Sequence, residues 1–228
     1  MGSSISTVTV PYHHTMTTPE VELRAAWLHL AGPGHPAALD HLLGRHREPH
    51  RRYHTATHVM WVLRHIDTIV ADLPRADLAV LDVAVVRWAA LFHDIVHDPT
   101  RSDNEELSAT LAARAASDIG WSAARAGDAH RLVMATKGHT PGPLDECVLV
   151  DADLAILGAS PADYGAYVTG VRAEYSHVAD DAWRAGRTAV LDGFLARRQL
   201  FHTATMRRER EARARANLTA ERAALTRG

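Results

Sequence analysis

The stretch Asp77–His97, DLAVLDVAVVRWAALFHDIVH, decides the fold. Leu78, Val80, Leu81, Val83, Val85, Val86, Trp88, Leu91 and Phe92 make it apolar on most sides, as expected of a central buried helix. The pattern predicts one helix over 77–97, ended by Pro99, because the residue before proline is pushed out of helical geometry. Asp77, Asp82, Arg87 and Asp94 interrupt the run, so it falls short of the roughly 20 uninterrupted apolar residues of a membrane span.

Outward from this stretch, helix signals dominate and no segment alternates for long in the manner of a strand. Thr18 with Pro19 opens a helix through about Leu30, stopped by Gly32, Pro33 and Gly34. A short helix is expected over 36–46. His58, Trp61, Val62, His65, Ile66 and Ile69 recur at three and four over 54–72, giving a face that is both apolar and histidine-bearing. Asp103 and Glu106 suggest a capping box for a helix that Gly120 closes, and another helix is expected over 122–136. The apolar segment 145–157 is broken by Asp151 and Asp153, and helices are expected over 161–180, 183–201 and 205–225. The expectation is an all-α bundle: a flexible leader over 1–17, then one domain over 18–228 with additional C-terminal helices packed on it.

Composition narrows the function classes. With 25 basic against 27 acidic residues, the net charge of −2 gives no electrostatic reason to bind nucleic acid or an acidic membrane. In the last helix Glu209, Glu211 and Glu221 interleave with five arginines, which reads as a solvated, salt-bridged face. Cys147 is the only cysteine, which excludes an intrachain disulfide and fits a reducing cytoplasm. Beside Val148–Val150 it reads as a buried small hydrophobe. The first residues have neither a basic region nor an apolar one to mark a secretory signal.

Three clusters carry the chemistry: Tyr53-His54-Thr55-Ala56-Thr57-His58, His93-Asp94 within the most apolar helix, and Asp151-Ala152-Asp153 after an apolar run. An ionised carboxylate in apolar surroundings needs a cation or a hydrogen-bond network. A shared divalent ion serves all three clusters, since two imidazoles and two carboxylates form a mixed set for a borderline or hard ion. Manganese, magnesium, iron, cobalt, nickel and zinc all suit such a set. Spacing alone leaves His54 open beside His58, His97-Asp98 beside His93-Asp94, and Asp151 beside Asp153. Thr136-Lys137-Gly138-His139 holds the only lysine and reads either as a phosphate contact or as a helix end. Arg172, Glu174, Tyr175, Arg187, Arg198, Arg215, Asn217 and Glu221 are expected to tie the C-terminal helices together.

The order His58, His93-Asp94, Asp153 resembles the HD superfamily of metal-dependent phosphohydrolases. YHTATHV (53–59), LFHDIVHDPTRSDNEELSA (91–109), VDADLAILG (150–158), VRAEY (171–175) and ARANLTAE (214–221) are similar to a bacterial group labelled predicted HD-type phosphohydrolases, over about residues 20–225. The resemblance implies an HD-type helical core and one divalent metal on His58, His93, Asp94 and Asp153, with Asp94 and His93 as catalytic residues. It also implies hydrolysis of a phosphoester, often in a nucleotide or other small phosphorylated metabolite. His54, Asn104, Glu105, Lys137 and His139 are then expected in the pocket or behind the ligands. Two other readings stay open. An HD-fold di-iron oxygenase would need two further histidines, for which His130 and His139 are available, and a non-catalytic metal- or nucleotide-sensing domain would act through partners. A homodimer is compatible with all of them.

Overall fold

A computed structural model describes residues 18–226; the leader expected over 1–17 lies outside them. The described residues form eleven α-helices and one 3-10 helix, without a strand. In chain order the helices are α1 (Pro19–Ala31), α2 (Pro36–Arg45), α3 (Ala56–Asp72), α4 (Arg75–Leu78), α5 (Val83–Phe92), α6 (Asn104–Asp118), α7 (Ala123–Gly138) and α8 (Leu144–Asp153). The 3-10 helix Leu154–Gly158 follows, then α9 (Pro161–Glu174), α10 (Asp180–Leu195) and α11 (Ala204–Leu225).

The apolar central stretch does become the core, with α5 packed against α1, α3, α6, α7 and α8. Trp88 is fully buried there, its ring centroid 5.1 Å from both Trp27 and Trp121 and 4.8 Å from Phe92. Its indole N–H donates to Ala112 O at 2.9 Å, so the largest core side chain carries no unsatisfied donor.

The single helix expected over 77–97 is two. Asp82 turns out of helical geometry and its Oδ1 accepts from Val85 N at 3.2 Å, which starts α5 afresh. At the other end α5 stops at Phe92, well before Pro99. The reason is local: Asp94 O accepts from Arg51 Nη1 at 2.7 Å, and Ile95 O from Arg51 Nη2 and Arg45 Nε, each at 3.0 Å. The side chain of a buried arginine takes carbonyls that a continuing helix would have used.

Other boundaries move for similar reasons. The helix expected to reach 180 ends at Glu174, because Arg172 takes the carbonyls of Tyr175 and Val178. The one expected over 183–201 is Asp180–Leu195, where Arg215 collects the carbonyls of Leu195, Arg197 and Arg198. Asp103 stands at the start of α6, but its carboxylate binds Arg101 and Glu106 binds Lys137, so no capping box forms. Cys147 is half-buried rather than buried, and burial helped by Asp151 pushes its thiol up to about 11, away from nucleophilic use.

The C-terminal helices lock onto the segment that follows Asp153. Asn217 Nδ2 donates to Leu157 O at 2.8 Å and Ala159 O at 3.1 Å. Arg187 pairs with Glu221 at 2.7 and 3.0 Å, and Tyr164 donates its hydroxyl to the same carboxylate, the tie between helices expected of these residues. Gly158 lies directly against α11: a Cβ there would stand 2.6 Å from Arg210 Cβ and 2.8 Å from Arg210 O. Gly158→Ala is therefore expected to cost about 1–3 kcal/mol of stability, the usual range for overpacking. Urea unfolding checks this, and an alanine variant with an unchanged midpoint would mean that α11 shifts freely.

Candidate metal centre

Four side chains from three places in the fold meet at one point. His58 comes from the first turn of α3, whose N-terminus Thr55 caps by accepting from Thr57 N. His93 ends α5, where its Nδ1–H donates to Ala90 O at 2.9 Å. That bond satisfies a helix-end carbonyl and fixes the tautomer, leaving Nε2 as a lone pair. Asp94 follows in the pinned turn, and Asp153 closes α8.

His58 Nε2 stands 3.0 Å from His93 Nε2, 3.1 Å from Asp153 Oδ1 and 3.4 Å from Asp94 Oδ2. His93 Nε2 is 3.1 Å from Asp94 Oδ2 and 3.5 Å from Asp153 Oδ1. Donor atoms held at about 2.0–2.2 Å by one ion stand about 3 Å apart when adjacent; His58, His93 and Asp153 offer one atom each, all within 4.8 Å of one another, and Asp94 lies outside that trio, against the two imidazoles. Two imidazole nitrogens facing each other with two carboxylates close by fit a cation between them. In its absence, burial works against the imidazolium forms, but Asp94 and Asp153 override it and hold His93 well above, and His58 above, the ordinary histidine value. Burial likewise works against the carboxylates, yet the surrounding imidazoles hold Asp94 and Asp153 well below the usual range.

Asp153 has a second support. His139 Nε2–H donates to Asp153 Oδ2 at 3.1 Å, leaving Oδ1 for the cluster. His139 takes a left-handed backbone, φ 46°, the one non-glycine residue with positive φ among the described residues. Arg197 holds that turn through the carbonyls of His139 and Gly138. Asp151, the alternative ligand, is fully buried and spent elsewhere, accepting from His202 N at 2.9 Å and Thr203 N at 2.6 Å.

Residues 55–156 match the family model of the HD domain. The chain carries an HD domain. No curated protein and no solved structure matches it significantly. The HD match ends at Ile156, so α9, α10 and α11 lie beyond it. Among the described residues no helix is long and apolar enough to cross a membrane.

Behind the HD dipeptide lies a second cluster that sequence reasoning missed in part. Glu174, fully buried at the end of α9, accepts through Oε1 from the amides of Arg52, Tyr53 and His54 at 2.7, 2.8 and 3.0 Å. Its Oε2 accepts from His54 Nδ1–H at 2.7 Å and faces His97 Nε2 at 3.2 Å, without hydrogen-bond geometry. Burial opposes its charge, but these donors hold its carboxyl far below the ordinary value. His54 and His97 are stacked, centroids 4.0 Å apart at 29°; with Glu174 they form a second group whose donor atoms lie within 4.8 Å of one another, and the His54–Glu174 bond already uses one of them as a hydrogen-bonded brace. His54, expected in the pocket, thus turns to Glu174, which was expected only to tie helices together. The signal was VRAEY itself, a glutamate set between Ala173 and Tyr175 at a helix end.

The remaining candidates fall outside the cluster. Asn104 pins the HD turn by accepting from Asp98 N at 3.1 Å and donating to Asp98 O at 2.9 Å, while the buried Ser108 does the same for Val96. Glu105 is half-buried in the first turn of α6 and offers no atom to either cluster. Lys137 pairs with Glu106 and donates to Ser102 O at 3.2 Å, and it does not line the cavity beside the cluster. Arg51, which sequence reasoning passed over, is the staple of the site: buried, it joins the His54 carbonyl to those of Asp94 and Ile95.

His58 and Asp153 form one wall of a cavity of about 470 Å³. Tyr53, Trp61, His65 and Tyr167 give it aromatic walls, and Arg52 and Arg210 supply its cations.

Proposed function

We propose that the protein is a metal-dependent phosphohydrolase acting on a small phosphorylated metabolite, a nucleotide or a molecule of similar size. The observation that carries this is the gathering of His93 and Asp94 at 3.0–3.5 Å around His58 and Asp153, the last two lining a cavity whose charged side chains include two arginines. The residues fit one divalent ion, and the chemistry such an ion supplies is a more acidic bound water and a polarised phosphoryl oxygen. The chain's own groups do the rest. Asp94 is the carboxylate placed to orient an attacking water and accept its proton, its other contacts being to the two imidazoles. His139 keeps Asp153 turned toward the cluster. Arg52, exposed at the cavity mouth beside Tyr53, replaces Lys137 as partner for the phosphate charge. We further propose that residues 18–228 act as one unit, and the single cysteine fits work in the cytoplasm.

The di-iron reading loses its support: His139 reaches Asp153, but His130 lies on the exposed side of α7. The test is metal analysis of the untreated protein with a panel of phosphomonoesters and phosphodiesters, assayed before chelation, after it, and after return of the metal. The expected outcome is about one equivalent of metal, with hydrolysis lost on chelation and restored on reloading. Hydrolysis that survives complete chelation would sink the proposal.

A further inference from the structure

The far end of the cavity carries a charge that the fold does not use. Arg210, on α11, is half-buried and lines the cavity, yet makes no ion pair among the described residues; its one hydrogen bond is a long one of 3.4 Å to Gly158 O. Asp163 lines the same cavity but is exposed and bonded to Ser160 at its own helix start. The other cavity-end charge on α3 is His65, which burial and then the Arg210 charge hold at about 4, so it stays neutral near pH 7. Glu209, its neighbour in the chain, acts on Arg210 without an ion pair forming, and a guanidinium kept partly out of water with no ion-pair partner is ready to take an anion.

His65, which lines the cavity together with Arg210, follows His58 by seven positions on the same helix, which is about 10 Å along the axis. Between them Trp61, half-exposed and stacked with His65 at 6.0 Å and 26°, offers a flat apolar surface.

We infer that Arg210 is a substrate-recognition residue, and that the substrate is a phosphoester bearing a second anionic group, met by Arg210, besides the phosphate at the metal cluster. It rests on the phosphohydrolase reading only in placing a phosphate at that cluster. Neither Lys137 nor Arg172 nor Arg187 can serve instead, since each is already paired, with Glu106, Asp180 and Glu221 respectively.

The experiment measures binding of alkane-α,ω-bisphosphonates of graded length, and of ω-hydroxyalkyl phosphonates of the same lengths, to the full chain loaded with manganese. The wild type should prefer the bisphosphonate by at least about tenfold at one of these lengths, as a charged hydrogen bond predicts. Arg210→Met keeps the aliphatic stem against Gly158 and should bring that ratio close to one without weakening the hydroxyalkyl phosphonate; Arg210→Lys should retain part of it. A wild-type ratio near one, or a preference unchanged in Arg210→Met, overturns the inference. If the preference holds but the loaded protein hydrolyses no ester, the phosphohydrolase reading fails alone; hydrolysis with a ratio near one has the opposite meaning.

Discussion

Replacing Asp153 with alanine is expected to empty the metal centre and lower phosphoester hydrolysis by at least about a thousandfold, near 4 kcal/mol of transition-state stabilisation. Asp153 is the member of the set with support from two sides: Oδ1 lies 3.1 Å from His58 Nε2, and Oδ2 is held by His139. Its loss removes one of two negative charges that make the site attractive to a cation, and it frees His139 from its only side-chain partner at the cluster. The fold should survive, because no buried group outside the site depends on this carboxylate. Three readouts separate the causes. Metal content should fall to background, added metal should raise the melting temperature of the wild type but not of the variant, and helical circular dichroism should be unchanged. A variant that keeps its metal and its activity would remove Asp153 from the ligand set.

The largest effect on stability is expected at Glu174. Glu174→Ala strands three consecutive backbone amides and the Nδ1–H of His54 in a buried place, and losing one partner of such a buried charged network costs about 3–5 kcal/mol. Glu174→Gln should cost less, since its oxygen can still take the amides. The sign of the pH dependence follows from the depressed carboxyl. Its stabilising contribution is complete above the ordinary glutamate value, near 4.5, and is lost progressively as the pH falls below it toward the folded value. The gap between wild type and Glu174→Gln in urea unfolding should therefore be full at pH 7 and shrink below about pH 4.5. Equal stability of wild type and Glu174→Ala at pH 7 would show that the turn over 52–54 holds without its brace.

That His58, His93, Asp94 and Asp153 gather was legible because charge in an apolar run is chemically conspicuous, as in His93-Asp94 after Leu91 and Phe92 and Asp153 soon after Val148–Val150. The core helix was legible for the same reason, but its start was not, because the apolar pattern runs unbroken past Asp82 and hides a cap. The contacts of Glu174 with the turn over 52–54 and the place of Arg210 in the cavity lining were not legible, because each lies far along the chain from what it meets, and local pattern speaks only of helix ties and a solvated face. Being the only lysine made Lys137 conspicuous in the sequence, but its pairing with Glu106 one helix away is something that spacing does not reveal.

The close packing of α11 on the segment after Asp153 bears on how the protein is made. All four cluster residues have left the ribosome once residue 153 is clear, while Arg210, packed against Gly158, and Asn217, which holds the carbonyls of Leu157 and Ala159, are still to come. At 5–20 residues per second, that interval lasts about 3–13 seconds. During translation there is thus a stage at which the four cluster residues are present but the wall of the cavity beside them is not. Under the proposed function, ion capture would precede the completion of the substrate chamber, and α11 would supply the selectivity after the donors are already made.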